Sequence, residues 1–430
     1  MKCLFKFLIV LFKSLLEIKI RMNMRYSIAV LIIFTLLFSC KQNDNIPKIA
    51  EGLWRVELDV MDKQILPFNL KVNKTVNGSY TMQIINAEEI INVDEIVIIG
   101  DSIVIQTPVF EGFLSGKFSE NKITGQFIKE SLDRVVPFEA TFGKKDRFDV
   151  VKMDTDQNVS GIWETSFNPN TDEEYVGKGI FLQDGNLVTG TFRTTTGDYR
   201  YLDGVVDGDS LKLSAFDGAH AFLFTAKVTD STLNGAFYSG NHSKETFVAK
   251  RNDSYELPDP NSLTFINEGY DKLAFSFPDS KGNIISLSDE TYQDKVVIVQ
   301  LMGTWCPNCL DETKFLVDYV QGNNNVRVIG LAFESAKTQE KAFNAINRLK
   351  DKIGVQYPIL LAQYGSVDKE EAQQKLPMIN HVLSYPTTIF IDKNGNVRKI
   401  HTGFNGPATG HKYSEFKKEF NEFVTQLINE

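Results

Sequence analysis

Apolar and polar positions change their period along the chain, and the change predicts two kinds of structure. Between residues 51 and 250, short runs alternate apolar and polar side chains, as at residues 68–72 and 211–213. This two-residue period is typical of strands with one buried face, and turn signals such as Asn77-Gly78 and Asp207-Gly208 separate the runs. After residue 270, near-continuous apolar runs alternate with stretches of helical period. We therefore predict all-β structure followed by an α/β domain.

The β-rich region contains an internal repeat. Four segments recur at an offset of about 109 residues, which indicates a duplicated module. The matched pairs are Gly52-Leu53-Trp54 with Gly161-Ile162-Trp163, Gly100-Asp101-Ser102-Ile103 with Gly208-Asp209-Ser210-Leu211, Ile123-Thr124-Gly125-Gln126-Phe127 with Leu233-Asn234-Gly235-Ala236-Phe237, and Phe138-Glu139-Ala140 with Phe247-Val248-Ala249. We predict two consecutive β modules, each a meander that closes into a barrel or a sandwich.

Each copy opens with a Gly-X-Trp tripeptide, which contains Trp54 in the first copy and Trp163 in the second. This tripeptide followed by a meander resembles lipocalin-like barrels, and a barrel interior can hold a small ligand. The alternative is that both tryptophans fill the module cores, while the modules act as spacers or docking surfaces. No polar residues converge at matched positions of the two copies, which favours the alternative.

The α/β region begins after a linker at residues 257–260, where two closely spaced prolines mark a boundary. Its apolar runs predict strands at residues 296–302, 326–333, 357–362, 385–392 and 397–401. Its helical periods predict four helices. The first follows the cysteine pair and ends near residue 320, and the others lie at 338–353, within 364–382 and at 413–428. The predicted domain boundaries are a signal-peptide region at 1–39, a tether at 40–50, β repeats at 51–150 and 151–256, and the α/β domain at 257–430.

Charge and cysteine content narrow the function. The net charge of −9 and the pI of about 5.3 argue against a nucleic-acid-binding protein. Four cysteines are too few for a disulfide framework in 430 residues. Cys3 and Cys40 lie in the N-terminal targeting region, so Cys306 and Cys309 remain as a closely spaced pair, which is typical of a redox motif.

The N-terminus has the pattern of an export signal. A short basic start precedes an apolar run at residues 28–38, which is shorter than the roughly 20 residues that span a bilayer and fits a signal-peptide core. The run ends in Ser39-Cys40, which resembles a bacterial lipobox. This implies lipidation of Cys40, and Met22 or Met24 is then the simplest true start. We expect a lipid-anchored protein of the cell envelope that faces the periplasm, on the outer membrane.

The residues around the cysteine pair resemble the thioredoxin superfamily, and within it the TlpA/ResA-like periplasmic reductases. The resemblance rests on Gly303-Thr304-Trp305-Cys306-Pro307-Asn308-Cys309, on Tyr385-Pro386-Thr387, and on Phe390-Ile391-Asp392-Lys393-Asn394-Gly395. It covers residues from about 265 to 430. It implies a thioredoxin-like fold and a thiol–disulfide oxidoreductase whose redox group is the Cys306–Cys309 disulfide, with no other cofactor.

The chemistry of the pair follows from where a strand gives way to a helix. Cys306 then lies at the helix N-terminus, where unpaired N–H groups and the helix dipole favour an anion. We therefore expect Cys306 to be an exposed nucleophile with a lowered pKa. Cys309 lies deeper on the same helical face and resolves the mixed disulfide. Pro307 suits the first helical turn, where a missing N–H costs nothing.

The resemblance also implies roles for residues outside the pair. Pro386 is expected to form a cis peptide bond facing the disulfide, with backbone groups of Tyr385 open to a substrate strand. Glu312 is expected to exchange a proton with Cys309; the alternative is an ordinary acidic residue of the first helix. The predicted substrate-binding residues are Trp305, Pro307, Tyr385, Pro386 and Thr387.

Other functions remain open at this point. A zinc site needs about four ligands, and none of the histidines has metal-ligand spacing to the pair, so no metal is predicted. A structural Cys306–Cys309 bridge would close too small a loop to stabilise much. A thiol peroxidase is the closest rival within the fold. A dithiol oxidase and a binding lipoprotein with an accessory redox domain are the further alternatives.

The favoured function is reduction of protein disulfides. Its expected partners are protein thiols and disulfides, a membrane thiol that donates electrons, and the membrane itself through the N-terminal lipid. No nucleic acid is expected among them.

Overall fold

The computed structural model describes residues 48–151 and 156–430. The signal-peptide region, Cys40 and most of the tether lie outside these described residues, so the predictions on them stay predictions. Within the described residues, no helix combines the length and the apolar character needed to cross a membrane.

The first β module is an antiparallel meander. Its strands are β1 Gly52–Asp59, β2 Ile65–Lys74, β3 Tyr80–Asn86, β4 Glu89–Val93, β5 Ile96–Ile99, β6 Ser102–Gln106, β7 Phe113–Phe118, β8 Lys122–Lys129 and β9 Arg134–Phe142. They form one nine-stranded sheet in the order β4-β3-β2-β1-β9-β8-β7-β6-β5. Pairing of β1 with β9 joins the two ends of the meander, and β4 and β5 are left as the sheet edges.

The second β module is a closed barrel. Its strands are β10 Gly161–Phe167, β11 Tyr175–Asp184, β12 Leu187–Thr194, β13 Gly197–Asp198, β14 Leu202–Asp207, β15 Ser210–Phe216, β16 Ala221–Val228, β17 Thr232–Ser239 and β18 Ser243–Arg251. Pairing of β11 with β12, together with that of β10 with β18, closes the ring, and the short β13 pairs only with β12. Aromatic rings fill the interior, among them Phe167, Phe192, Phe224 and Phe247.

The repeat predicted from the sequence is visible in matched contacts. Trp54 and Trp163 are both fully buried. The indole N–H of Trp54 donates to the carbonyl of Ala50 at 3.0 Å, and that of Trp163 donates to the carbonyl of Val159 at 2.8 Å. Both tryptophans therefore fill module cores, as the alternative to a ligand site requires.

The two β modules share a core. The side chain of Phe216, at the end of β15, is fully buried and stacks on Phe68 of the first module with ring centroids 4.2 Å apart. Asn86 pairs with the backbone of Phe216 in both directions, through its amide N–H to the carbonyl at 2.9 Å and from the Phe216 N–H at 3.1 Å. The two β modules are therefore packed directly against each other.

The C-terminal domain is a mixed sheet flanked by helices. Its elements are a hairpin of β19 Ser276–Pro278 and β20 Ile284–Ser286, the strands β21 Val296–Met302, β22 Val326–Glu334, β23 Ile359–Tyr364, β24 Thr387–Ile391 and β25 Val397–Thr402, and the helices α1 Pro307–Val320, α2 Gln339–Ile353, α3 Lys369–Lys375 and α4 His411–Asn429. The sheet order is β23-β22-β21-β24-β25. The strands β21, β22 and β23 are parallel to one another, and β24 pairs antiparallel with both of its neighbours, β21 and β25. Every residue of the central β21 is buried.

Local sequence signals set the helix ends. Thr338 caps α2 by accepting a hydrogen bond from the N–H of Lys341 at 3.2 Å. Gly354 ends that helix with a φ of +79°, the left-handed conformation that glycine adopts without strain. The buried face of α4 carries Phe416, Phe420 and Leu427, in agreement with the helical period of the sequence.

The predicted fold class, two barrel-like β modules followed by a thioredoxin-like α/β domain, is confirmed. Two strands begin later than expected. β23 was expected from residue 357 and begins at Ile359, and β24 was expected from residue 385 and begins at Thr387. A proline, Pro358 or Pro386, immediately precedes each observed start, and proline has no N–H to donate to a neighbouring strand.

Repeat-equivalent glycines allow close approach of neighbouring strands. A Cβ atom on Gly235 would lie 2.1 Å from the carbonyl oxygen of Thr225, and one on Gly125 would lie 2.1 Å from that of Ser115. We therefore expect Gly235→Ala to lower the free energy of unfolding by about 1–3 kcal/mol, as overpacking usually does. The exposed neighbour Asn234→Ala is the control. Denaturant unfolding measures both, and equal stability of the two variants would contradict the prediction.

Candidate active site

Cys306 lies where the central strand gives way to the first helix. It is the N-cap of α1, and its Sγ accepts a hydrogen bond from the backbone N–H of Cys309 at 3.2 Å. The thiol also lies 3.4 Å from the carbonyl oxygen of Tyr385, to which it donates. Only 6% of its surface is exposed, so the expected exposed nucleophile is largely covered.

Cys309 lies below Cys306 in the first turn of α1 and is fully buried. Both cysteines are free thiols, the reduced state of the pair. Burial raises the pKa of Cys309 well above its ordinary value, and the contact with Cys306 and the charge of Glu312 raise it further. Cys309 therefore needs a proton acceptor before it can act as a nucleophile.

Glu312 is buried one helical turn beyond Cys309. Its carboxylate accepts hydrogen bonds from the Gln300 amide at 2.8 Å and from the Thr388 hydroxyl at 2.5 Å. Burial raises the pKa of Glu312 to about 7, and the two hydrogen bonds oppose that rise. The amide of Gln300 also donates to the carbonyl of Cys309 at 3.2 Å. A single β21 side chain thus contacts both the second cysteine and the carboxyl group.

The proline loop lies against the cysteines. The Tyr385–Pro386 peptide bond is cis, as the resemblance implies, and the Tyr385 carbonyl points at Cys306. The side chain of Thr387 is buried and donates to the carbonyl of Ser384 at 2.8 Å. Thr387 therefore holds the loop together through its side chain.

Trp305 and Pro307 flank Cys306. The Trp305 indole N–H donates to the carbonyl of Phe333 at 2.9 Å, and the ring packs edge-on against Tyr385 with centroids 5.8 Å apart. Pro307 is buried at the first position of α1. The predicted catalytic and substrate-binding residues thus lie on α1, next to it or in the proline loop packed against it, with Glu312 on the Cys309 side, while Cys40 lies outside the described residues.

A second buried carboxyl group fixes the loop before Cys306. Glu334, the last residue of β22, accepts hydrogen bonds from the N–H and the hydroxyl of Thr304 at 2.8 and 2.6 Å. Burial raises the pKa of Glu334 to about 7, and the bonds from Thr304 oppose that rise. Glu334 was not among the residues predicted from the sequence, although a charge directly after an apolar strand is a usable signal.

Gln300 was missed for a similar reason, because it is the one polar residue in a strand described as near-continuously apolar. Asp311 was missed as well. It is buried on α1 and forms an ion pair with Arg200 of the second β module. Among the described residues, no group of three or more histidine, cysteine, aspartate or glutamate side chains is arranged to hold a metal ion.

A protein family and two bacterial proteins are similar to the C-terminal domain. The Redoxin family matches residues 269–416. The thioredoxin-like protein YneN of Bacillus subtilis is 29% identical over 142 residues, which cover 32% of this chain and 73% of YneN. The thiol-disulfide oxidoreductase ResA of Geobacillus kaustophilus is 27% identical over 131 residues, which cover 30% of this chain and 66% of ResA.

Among solved structures, a thiol:disulfide interchange protein from Chlorobium tepidum is 19% identical with a TM-score of 0.28 and covers 38% of this chain and 98% of its own length. The β modules lie outside the Redoxin match. By the Redoxin match and the two bacterial relatives, the C-terminal domain of this chain is similar to TlpA/ResA-like thiol–disulfide oxidoreductases of the thioredoxin superfamily.

Proposed function

We propose that this protein reduces protein disulfides in the cell envelope, through a mixed disulfide at Cys306. The observation that carries the proposal is the arrangement of the two thiols, with Cys306 at the helix N-cap and Cys309 buried beneath it beside Glu312. The names of the relatives support thiol–disulfide exchange. The resemblance to TlpA/ResA-like reductases supports the direction, and disulfide formation is the alternative.

The exchange proceeds in two displacements. The thiolate of Cys306 attacks one sulfur of the substrate disulfide, which forms a mixed disulfide and releases the other substrate sulfur as a thiolate. Cys309 then loses its proton and attacks the Cys306 sulfur. This second step releases the remaining substrate thiol and leaves a Cys306–Cys309 disulfide. Two electrons from an external thiol donor return the pair to the reduced state.

Glu312 accepts the proton of Cys309 in the second displacement. Its pKa, which burial raises to about 7, is close to neutral pH, as suits a group that accepts and returns a proton. The hydrogen bonds from Gln300 and Thr388 hold the carboxylate in one orientation. The same arrangement returns the proton when the disulfide is reduced again.

The location of this chemistry is part of the proposal. A lipid on Cys40 would tether the protein to the outer membrane facing the periplasm, where disulfides form and persist. Two or more acyl chains are needed for stable anchoring. The electron donor is then a membrane thiol, and the substrates are protein disulfides of the same compartment.

Replacement of Cys306 and replacement of Cys309 are expected to block the reaction at different steps. Cys306→Ser removes the attacking sulfur, so turnover of a protein disulfide should be abolished. Cys309→Ser leaves the attack intact but removes the resolving thiol, so a mixed disulfide with substrate should accumulate. Non-reducing electrophoresis with mass spectrometry distinguishes the two outcomes. Full turnover by both variants would disprove the mechanism.

Replacement of Glu312 is expected to change the pH dependence of the second displacement. In the unaltered protein, the rate of the second displacement should rise as pH rises through about 7, because Glu312 accepts a proton only when it is ionised. Glu312→Gln should lower the rate by about a hundredfold and remove that rise. Quenched single-turnover assays on both sides of this pKa measure it.

Glu334→Gln is the matched control, because Glu334 is also buried with a pKa of about 7 but bonds Thr304 instead of facing Cys309. It should keep the pH dependence. If Glu312→Gln keeps it as well, Glu312 is not the proton acceptor.

The reduction potential of the pair decides the direction. Equilibration in thiol buffers, followed by Trp305 fluorescence, should give a value near that of thioredoxin, about −270 mV, for a reductase. A value toward about −120 mV would identify a dithiol oxidase instead.

A further inference from the structure

A segment of the second β module lies directly on the redox site. We call residues 195–200, which include β13, the covering segment. Its contacts reach three separate parts of the C-terminal domain. The Asn308 amide donates to the carbonyl of Asp198 at 3.1 Å, the Ser384 hydroxyl donates to the carbonyl of Thr196 at 2.8 Å, and the Gly406 N–H donates to the Asp198 carboxylate at 2.7 Å.

Two of these contacts flank Cys306. Asn308 lies between the two cysteines in sequence, and Ser384 precedes Tyr385, whose carbonyl accepts the hydrogen bond from the Cys306 thiol. The covering segment therefore lies across the surface between the start of α1 and the proline loop. A disulfide that approaches Cys306 over this surface meets the backbone of Thr196 and Gly197 first.

The packing of the covering segment leaves no room for an additional group. A Cβ atom on Gly197 would lie 2.1 Å from the side-chain amide nitrogen of Asn308. On the other side of the segment, a Cβ atom on Gly403 would lie 2.8 Å from the carbonyl carbon of Thr196. A substrate chain cannot pass between the segment and the domain in this arrangement, which agrees with the small exposed fraction of Cys306.

An ion pair anchors the end of the covering segment to the redox helix. Arg200 is buried and pairs with Asp311, which lies two residues after Cys309 on α1, and with Glu89 of the first module at 2.6 Å. A buried guanidinium is stable only while its carboxylate partners are in place. Movement of the segment away from the redox site therefore requires the pair with Asp311 to break.

A separate opening lies next to the two residues that precede Cys306, although Cys306 itself does not line it. A cavity of about 270 Å³ lies beside Trp305 and Thr304, between the first β module and α2. Val109 and Glu111 of the first module and Lys337 and Asn344 of the C-terminal domain contribute to its walls. A volume of this size admits a small molecule and excludes a folded protein.

We propose that the covering segment determines which disulfides reach Cys306. This inference rests on the proposed function. In the arrangement described here, the site reacts with low-molecular-weight thiols and disulfides, which can reach the small exposed part of Cys306. A protein substrate is admitted only after the segment is displaced, which selects partners able to displace it. Thr196, Asp198 and Arg200 are thus specificity-determining residues contributed by the β module.

The experiment compares labelling of Cys306 by reagents of two sizes. The reduced full-length protein is treated with N-ethylmaleimide or with a maleimide on a polyethylene glycol chain as large as a small protein, and labelling at Cys306 is followed by peptide mass spectrometry. In the unaltered protein, the small reagent should react much faster than the polymer, because only the small one can reach Cys306 without displacement of the covering segment.

Two variants loosen the covering segment from different sides. Asp311→Asn weakens the anchor at Arg200, and Ser384→Ala removes the hydrogen bond to Thr196. Each should raise the rate of polymer labelling several-fold, up to about tenfold for the charged contact, and should leave labelling by N-ethylmaleimide unchanged. Asp318→Asn, an exposed carboxylate on the same helix, should alter neither rate.

The outcomes separate the two proposals. If the polymer labels the unaltered protein as fast as N-ethylmaleimide does, Cys306 is freely accessible, which overturns the role of the covering segment alone. A polymer rate that neither variant raises overturns it as well. If N-ethylmaleimide labels Cys306 in none of the proteins, the proposed nucleophile and the covering segment both fail.

Discussion

One buried guanidinium connects all the folded parts of the described chain. Arg200 of the second β module pairs with Glu89 of the first module and with Asp311 of the redox helix, and its Nε lies 3.7 Å from the carboxylate of Asp217. Several carboxylates near a single cation would repel one another if the cation were removed. Burial raises the pKa of Glu89, and the charge of Arg200 opposes that rise. Loss of Arg200 would therefore leave uncompensated buried charge at the junction of three domains, a far larger cost than loss of a surface ion pair.

This junction fixes the redox helix relative to the β modules. Asp311 is held by Arg200, while Glu312, the next residue and about 100° further around α1, is held by Gln300 and Thr388. The start of α1 is thus fixed on two adjacent faces, and Cys306 and Cys309 with it. Glu334 fixes the preceding loop through Thr304. Preorganisation of this kind is what a nucleophile needs, because the reacting sulfur must be aligned before attack.

The sequence predicted the parts of this protein that follow from local chemistry or period. The duplicated β modules, the buried strand before Cys306, the helix after it and the proline loop were all recognisable, since each depends on a run of neighbouring residues. The contacts between modules were not. Phe216 has the same pattern as any inward residue of a strand, yet it packs against Phe68 in the other module. Arg200 and Asp311 lie 111 residues apart and follow no period. Polar residues at unusual places, such as Gln300 within an apolar strand, were the available signals and went unused.

The covering segment itself is explained by divergence of the repeat. At the repeat offset, β4 of the first module corresponds to β13 of the second, and Glu89 corresponds to Asp198. In the first module β4 is five residues long and forms a sheet edge. In the second module β12 pairs directly with β14, which closes the barrel and leaves β13 only two residues. The residues released from the ring lie on the redox site instead. Both corresponding carboxylates remain near Arg200, Glu89 through its side chain and Asp198 through the Arg200 N–H at 2.9 Å. Because closure of the second barrel excludes β13 from the ring, the same duplication that built the β modules also supplied the segment that covers Cys306.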